Sequence, residues 1–346
     1  MRKYGISFND ISVVVQGAID PEHTKTVIAS IRNRLPGAEI VLSTWEGSDV
    51  STLSYDQVVY SKDPGNWLTD RVYNVSNNVN RQILSSSSGI KAAKRRYVLK
   101  LRSDIEIVGY GFIKAYSKFR KRSEEYKFLS RRVVINNLYC ANPRKVEFPF
   151  HVSDWVFFGL KEDVLNIWDI PLEDRATSED YFSTTKRPKI DAVNSWVSRY
   201  LPEQWIWSSF LRKNGVDLKF EYFTDISSAN VEITEKSFAN NLIILDYPTY
   251  GIKFLKYDPY KWDFSKQFTH SDWLKLFKLH CDPSYFLPLK YRQNELGITK
   301  DRLQLKKHWL RLIEPFVYMR NWLSEPFIVF YLYIRLFIKI LMSWKQ

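Results

Sequence analysis

Arg96-Tyr-Val-Leu-Lys-Leu-Arg-Ser-Asp-Ile-Glu-Ile-Val-Gly-Tyr110 is the stretch on which the reading of the fold turns. Tyr97 to Leu101 has the character of a buried strand, and Arg102, Ser103, Asp104 and Glu106 then crowd polar and charged groups at its carboxyl end. Open α/β sheets bind their ligands in just that position. A strand ending in a solvated turn gives the same local pattern, so the flanking sequence has to decide.

On the amino side, Ile11 to Gln16 reads as a buried strand ending at Gly17-Ala18. Val27, Ile28, Ile31 and Leu35 follow at helical spacing, and Pro36-Gly37 stops that helix. Glu39 to Thr44 is a second strand, running into Trp45-Glu46-Gly47. Gln57 to Ser61 is a third, closed by the turn signal Asp63-Pro64-Gly65. Asn77 to Ala93 is a helix leading into the Tyr97 strand. This alternation predicts an α/β fold, a doubly wound, mostly parallel sheet with helices on both faces. Neither a Gly-x-Gly-x-x-Gly fingerprint nor a Walker loop occurs, so a nucleotide would be held by side chains rather than by a glycine cradle.

On the carboxyl side the pattern is looser. His151 to Gly159 is strand-like and Lys161 to Trp168 helical. Tyr200 to Gly215 is a helix marked at both ends, with Pro202 and Glu203 in its first turn and Gly215 at its end. Asp217 to Phe223 reads as a strand, and Glu173 to Asn194 as a polar loop, either covering the site or plain surface.

The chain has 346 residues, a formal charge of +13 and 45% hydrophobic residues, which supports a real core and predicts an anionic partner. Two cysteines, Cys140 and Cys281, suit a reducing compartment and exclude a cysteine-built zinc site. The first ten residues are polar and no apolar leader segment follows them, so no signal peptide is expected. His270, His280 and His308 lack metal-ligand spacing. Basic and aromatic residues interleave near the end, but no RNA-binding signature accompanies them and no nucleic-acid partner is expected.

Ile11 to Gly17, Asn80-Arg81-Gln82, Leu99 to Asp104, Ser153 to Gly159 and Pro202-Glu-Gln-Trp205 occur in order, and together they resemble the WavE family of bacterial lipopolysaccharide and capsule synthesis proteins. The resemblance implies a glycosyltransferase with a GT-A-like fold. It also implies a nucleotide-sugar donor and a lipid-linked or oligosaccharide acceptor. By the same resemblance, Asp104 stands where such enzymes carry the second acid of an Asp-x-Asp motif, which holds a divalent cation, Mg²⁺ or Mn²⁺, on the diphosphate. Arg102 replaces the first acid, so Arg102 and Lys100 are alternative phosphate ligands. Gln16, Gly17, Trp45 and Glu46 match the strand ends that hold base and ribose, and Asn80 and Arg81 are further donor ligands, although Arg81 equally suits a surface helix. The helix from Pro202 matches the element carrying the general base of inverting members, with Gln204 in the place of its Asp. The base is then Glu203 or Asp154, or the mechanism is retaining.

The expected organisation is a nucleotide-sugar-binding half (1–108), an acceptor-binding half (109–287) and a helical basic-aromatic C-terminal segment (288–346). In that last segment Tyr331, Arg335, Lys339 and Ser343 recur at spacing four, as in a helix lying flat on an anionic membrane surface. A packed helix pair is the alternative. The protein is therefore expected at the inner face of the cytoplasmic membrane, peripheral and cytoplasmic. Two other functions fit the sequence: transfer of a nucleotide-activated non-sugar group such as a polyol phosphate, or non-catalytic assembly at the membrane.

Overall fold

The computed structural model describes residues 1–70, 72, 74–185, 195–258 and 264–288. The chain divides into two compact units, Met1–Phe286 and Leu287–Gln346. The C-terminal segment expected to lie on a membrane falls outside the described residues beyond residue 288. Among the described residues no helix is long and apolar enough to cross a membrane.

The first unit is built on a seven-stranded sheet. In chain order its strands are β1 (Ile11–Gln16), β2 (Glu39–Trp45), β3 (Gln57–Ser61), β4 (Tyr97–Arg102), β5 (Val133–Asn136), β6 (Val156–Leu160) and β7 (Leu242–Leu245). They lie side by side as β3-β2-β1-β4-β6-β5-β7, so the Tyr97 strand is the middle one. All pairings are parallel except those of β6, which runs against both β4 and β5. The mixed α/β, mostly parallel architecture expected from the sequence is therefore present.

Successive residues of a strand face opposite sides, and β6 shows both sides covered. Phe157 packs edge-on against Trp168 of α4 (Lys161–Trp168). Phe158 packs on the other side against Phe112 and Tyr116 of α3 (Gly111–Tyr116). Every residue of β1 is buried, as a strand covered on both faces must be. Each such apolar side chain contributes roughly 1.5–3 kcal/mol.

Helix α1 (Pro21–Arg34) starts where Asp20 accepts hydrogen bonds from the amides of Glu22 and His23, with Pro21 pre-set in the first turn. Helix α2 (Val79–Ala92) carries the run Ser85-Ser-Ser-Ser88, which has no evident role in the sequence. Ser85, Ser86 and Ser87 are buried, because α2 lies unusually close to the sheet. A Cβ on Gly89 would come within 2.5 Å of Val14 Cγ1 and 2.8 Å of Ser43 Cβ, so small residues are what permit the approach.

Several local expectations are corrected. Of the 151–159 run only residues 156–159 are strand, β6 continuing to Leu160. Asp217 to Phe223 pairs in no sheet; side chains satisfy its carbonyls instead, with Tyr200 Oη and Arg212 on Phe220 and Arg199 on Glu221. Of the polar loop expected over Glu173 to Asn194, residues 186–194 lie outside the described residues, and Glu173 to Thr185 is packed structure. It holds two one-turn helices, and Phe182 forms a buried cluster with Leu201 and Phe223.

Candidate active site

The one strand that runs antiparallel in the seven-stranded sheet builds the site. Because β6 runs against β4, Val156 pairs with Leu101, and the residues entering β6 lie beside those leaving β4. Asp154 and Trp155 are thereby set against Arg102 and Asp104. The turn after β4 is tied to its neighbours: Ser103 N donates to Gln16 O (3.1 Å), Ser103 Oγ to Ala18 O (2.6 Å), and Thr24 Oγ1 to Ser103 O (3.3 Å). Gly17 sits beside it at φ +111°, a conformation L side chains rarely adopt.

Arg102 reaches back over this turn. Its guanidinium grips the Asp104 carboxylate as a fork, Nε to Oδ1 at 3.0 Å and Nη2 to Oδ2 at 2.8 Å. It also lies 4.5 Å from the Trp155 ring centre and 5.5 Å from that of Tyr257. Burial alone would lower its pKa, but the Asp104 carboxylate, joined by Asp154 and Tyr257, outweighs that and raises it. Arg102 is thus a fixed cation. Trp155 has Arg102 on its ring and Tyr139 stacked at 5.8 Å, so it serves to hold the guanidinium.

Glu203 enters from the first turn of α5 (Pro202–Lys213). Its side chain is 14% exposed, with Oε2 3.6 Å from His151 Nε2. Burial first, and then the charge of Asp154, raise its pKa well above the ordinary carboxylate value; its own backbone N–H and Arg102 offset only part of this. His151 is held near 4 by burial and is neutral, its Nδ1 2.9 Å from Tyr139 O. Asp154 is 3% exposed, and its Oδ1 makes no hydrogen bond. Glu203, its pKa raised by burial and by the charge of Asp154, thus stands beside a residue whose Oδ1 is orphaned, and a buried carboxyl perturbed by a specific neighbour marks a candidate acid–base site.

The other expected ligands are placed as follows. Gln16 closes β1 with Oε1 bonded to Ser85 Oγ at 2.6 Å, and Trp45 and Glu46 end β2 at the same edge. Asn80 is committed elsewhere, its amide bonded twice to the Glu173 backbone (2.7 and 2.9 Å). Arg81, at the start of α2, forks onto Asp63 at 2.6 and 2.7 Å, a partner not foreseen from the sequence. Lys100 is fully buried on the α4 face, 4.1 Å from the Trp168 ring centre, with Nζ bonded to Asp154 O. Burial pushes its pKa down to about 7, and its role is to fix the loop that carries Asp154.

Gln204 turns out to be structural. Fully buried, it donates to Pro149 O and Phe223 O, both at 2.8 Å, and accepts from Leu201 N at 3.3 Å. A carboxylate in its place would face two carbonyls. Gln204→Glu is therefore expected to cost about 3 kcal/mol or more in unfolding free energy. Chemical denaturation giving an unchanged midpoint would contradict this.

Sequence reading also missed Glu173. It is 3% exposed, and it accepts from Ser178 Oγ and Asn77 Nδ2. Burial raises its pKa from 4.5 to about 7. The folded state then keeps a proton the unfolded chain has lost, so this contribution to stability is complete below pH 4.5 and gone above about pH 7. Wild type should lose about 3 kcal/mol relative to Glu173→Gln across that window. Parallel denaturation profiles for the two proteins would refute it.

The expected cation is tested by Asp104 itself. Both its oxygens are bonded to Arg102, and among the described residues no group of three or more His, Cys, Asp or Glu is placed to hold a metal ion. The described residues do not form a metal centre of their own.

Fold and site together define an α/β protein with a cationic fork and a buried carboxylate pair at the carboxyl edge of its sheet. The chain belongs to the WavE lipopolysaccharide synthesis family, whose family model matches residues 11–303. No curated protein matches it.

Proposed function

We propose that the protein is a glycosyltransferase that moves a sugar from a nucleotide-activated donor to a lipid-linked or oligosaccharide acceptor in lipopolysaccharide or capsule synthesis. The observation that carries this reading is the placement of the Arg102–Asp104 fork beside Asp154 and Glu203. Glycosyl transfer needs a stabilised diphosphate leaving group and, where the anomeric centre inverts, a base for the acceptor hydroxyl. Arg102 is the leaving-group cation, held by Asp104 and the aromatic rings so that it need not reorganise as charge develops. A unit charge about 4 Å away is worth roughly 4 kcal/mol at an effective dielectric near 20. Glu203 is the base, its raised pKa making it a stronger proton acceptor once ionised. Gln16, Gly17, Trp45 and Glu46 line the nucleotide side.

Mg²⁺ or Mn²⁺ enters this reading only as an ion carried on the donor diphosphate, with Asp104 its one protein carboxylate, and no step depends on it. The protein acts at the inner membrane face, anchored by its basic-aromatic C-terminal segment.

A thermal-shift panel of nucleoside diphosphates tests the donor site. A ligand at about 100 times its Kd stabilises the folded state by about 2.7 kcal/mol. At least one nucleoside diphosphate should raise the Tm of wild type and not of Arg102→Gln. No shift with any of them would refute a nucleotide-binding site here.

A further inference from the structure

A second concentration of positive charge lies at the other end of the sheet. Tyr116, Lys118, Arg120, Arg122, Arg131 and Arg132 line a cavity of about 340 Å³, within the range of small-molecule sites. Arg131 and Arg132 immediately precede β5, which runs parallel to β4, so the cavity opens at the amino-terminal edge. Tyr97, the first residue of β4, touches the cavity wall through an edge-on contact with Tyr116 at 5.8 Å. Arg102 closes the same strand, and at about 3.3 Å per residue the two edges are roughly 16 Å apart. The cavity is therefore separate from the carboxylate site.

Three of its cations are held in place without being neutralised. Arg122 donates to the carbonyls of Leu129 and Ser130, both at 2.7 Å. Arg131 donates to Tyr116 O at 3.2 Å and lies 4.4 Å from that residue's ring centre. Arg132, 4% exposed, donates to the carbonyls of Ala239, Phe119 and Lys121. Lys118 and Arg120 are exposed. None of the five forms an ion pair among the described residues. Two carboxylates act on Arg122: Asp163, whose oxygens accept from the backbone amides of Ser130 and Arg131, and Glu124, which is paired with Lys127. Burial brings Arg132 down to about 10, which leaves it charged at neutral pH. Five cations around one cavity, three of them fixed by carbonyls and the group faced only by the carboxylates of Asp163 and Glu124, repel one another unless an anion joins them.

We propose that this cavity is a binding site for a phosphate-bearing ligand, a phosphate or diphosphate group, distinct from the carboxylate site at the opposite edge. Free phosphate esters and phospholipid headgroups carry the same chemistry, and the two sources are told apart by experiment.

Inorganic pyrophosphate is titrated calorimetrically into the full chain carrying Arg102→Gln, so that the other site's cation does not contribute. The same protein is tested for sedimentation with phosphatidylglycerol vesicles and with phosphatidylcholine vesicles. Adding Lys118→Ala and Arg120→Ala, two exposed positions whose loss leaves the core intact, should weaken pyrophosphate binding by about tenfold or more. Arg122→Gln gives an independent reading from within the cavity. If these changes also reduce sedimentation with phosphatidylglycerol vesicles alone, the ligand is a lipid headgroup. If they reduce only the pyrophosphate affinity, it is a soluble phosphate compound. Pyrophosphate and vesicle binding unchanged in both variants, or no pyrophosphate binding before they are introduced, would overturn the proposal.

Discussion

Glu203→Gln is expected to lower turnover by about 10² to 10⁴ while leaving the protein at least as stable as wild type near pH 8. The two effects have one cause. Burial and Asp154 disfavour the ionised Glu203 carboxylate, so its folded pKa lies above the unfolded value. The folded state is therefore favoured below the unfolded pKa and loses that advantage as pH rises through the folded one. An amide removes that loss together with the proton acceptor. The base form appears only above the raised pKa, so wild-type activity should climb with pH well above the usual carboxylate range, and this acid limb should vanish in the variant. Turnover close to wild type, or a product that keeps the donor's anomeric configuration, would exclude Glu203 as the base. An inactive variant with a much lower Tm would mean that Glu203 is structural.

Asp104→Asn carries the second large effect. The fork at 2.8 and 3.0 Å needs two carboxylate oxygens, and an amide offers one acceptor and a competing donor. Arg102 would lose its orientation, and transfer should fall by about 10² to 10³, the loss expected when one preorganised group aimed at developing charge is removed. The fold should survive, because the turn keeps its ties from Ser103 to Gln16 and Ala18. Chelation separates two roles for the carboxylate. If Asp104 acts by orienting Arg102, EDTA leaves wild-type activity in place; if it also holds an ion on the diphosphate, EDTA and the substitution have the same effect. Activity surviving both would leave Asp104 without a role.

The sequence made the amino half legible because each strand there is a short apolar run with an adjacent stop: Gly17 after β1, Asp63-Pro64-Gly65 after β3, the polar turn Ser103-Asp104 after β4. The carboxyl half was harder for physical reasons. Val133 to Asn136 and Leu242 to Leu245 are four-residue strands, too short for periodicity to separate them from buried helix. The reversed direction of β6 follows from long-range pairing, and that reversal is what brings Asp154 to Arg102. Arg102, Asp104, Asp154 and Glu203 were readable as charged residues at element ends. Their partners were not. The fork within Arg102-Ser-Asp104, the Arg81–Asp63 pair and the Asn80 grip on Glu173 depend on side-chain directions that no spacing encodes. Gln204 looked like a lost acid, and only its three backbone partners reveal a brace.

The most direct test is transfer itself. Wild type, Arg102→Gln and Glu203→Gln are incubated with a panel of labelled nucleotide-activated sugars and a lipopolysaccharide acceptor, with released nucleotide and labelled acceptor both measured. Wild type should release nucleoside diphosphate or monophosphate from at least one sugar donor in step with labelling of the acceptor. Both variants should fall by at least about 10² while still showing a cooperative melting transition. If wild type neither releases nucleotide nor labels acceptor with any donor, or if both variants match it, the protein is not a glycosyltransferase working through Arg102 and Glu203.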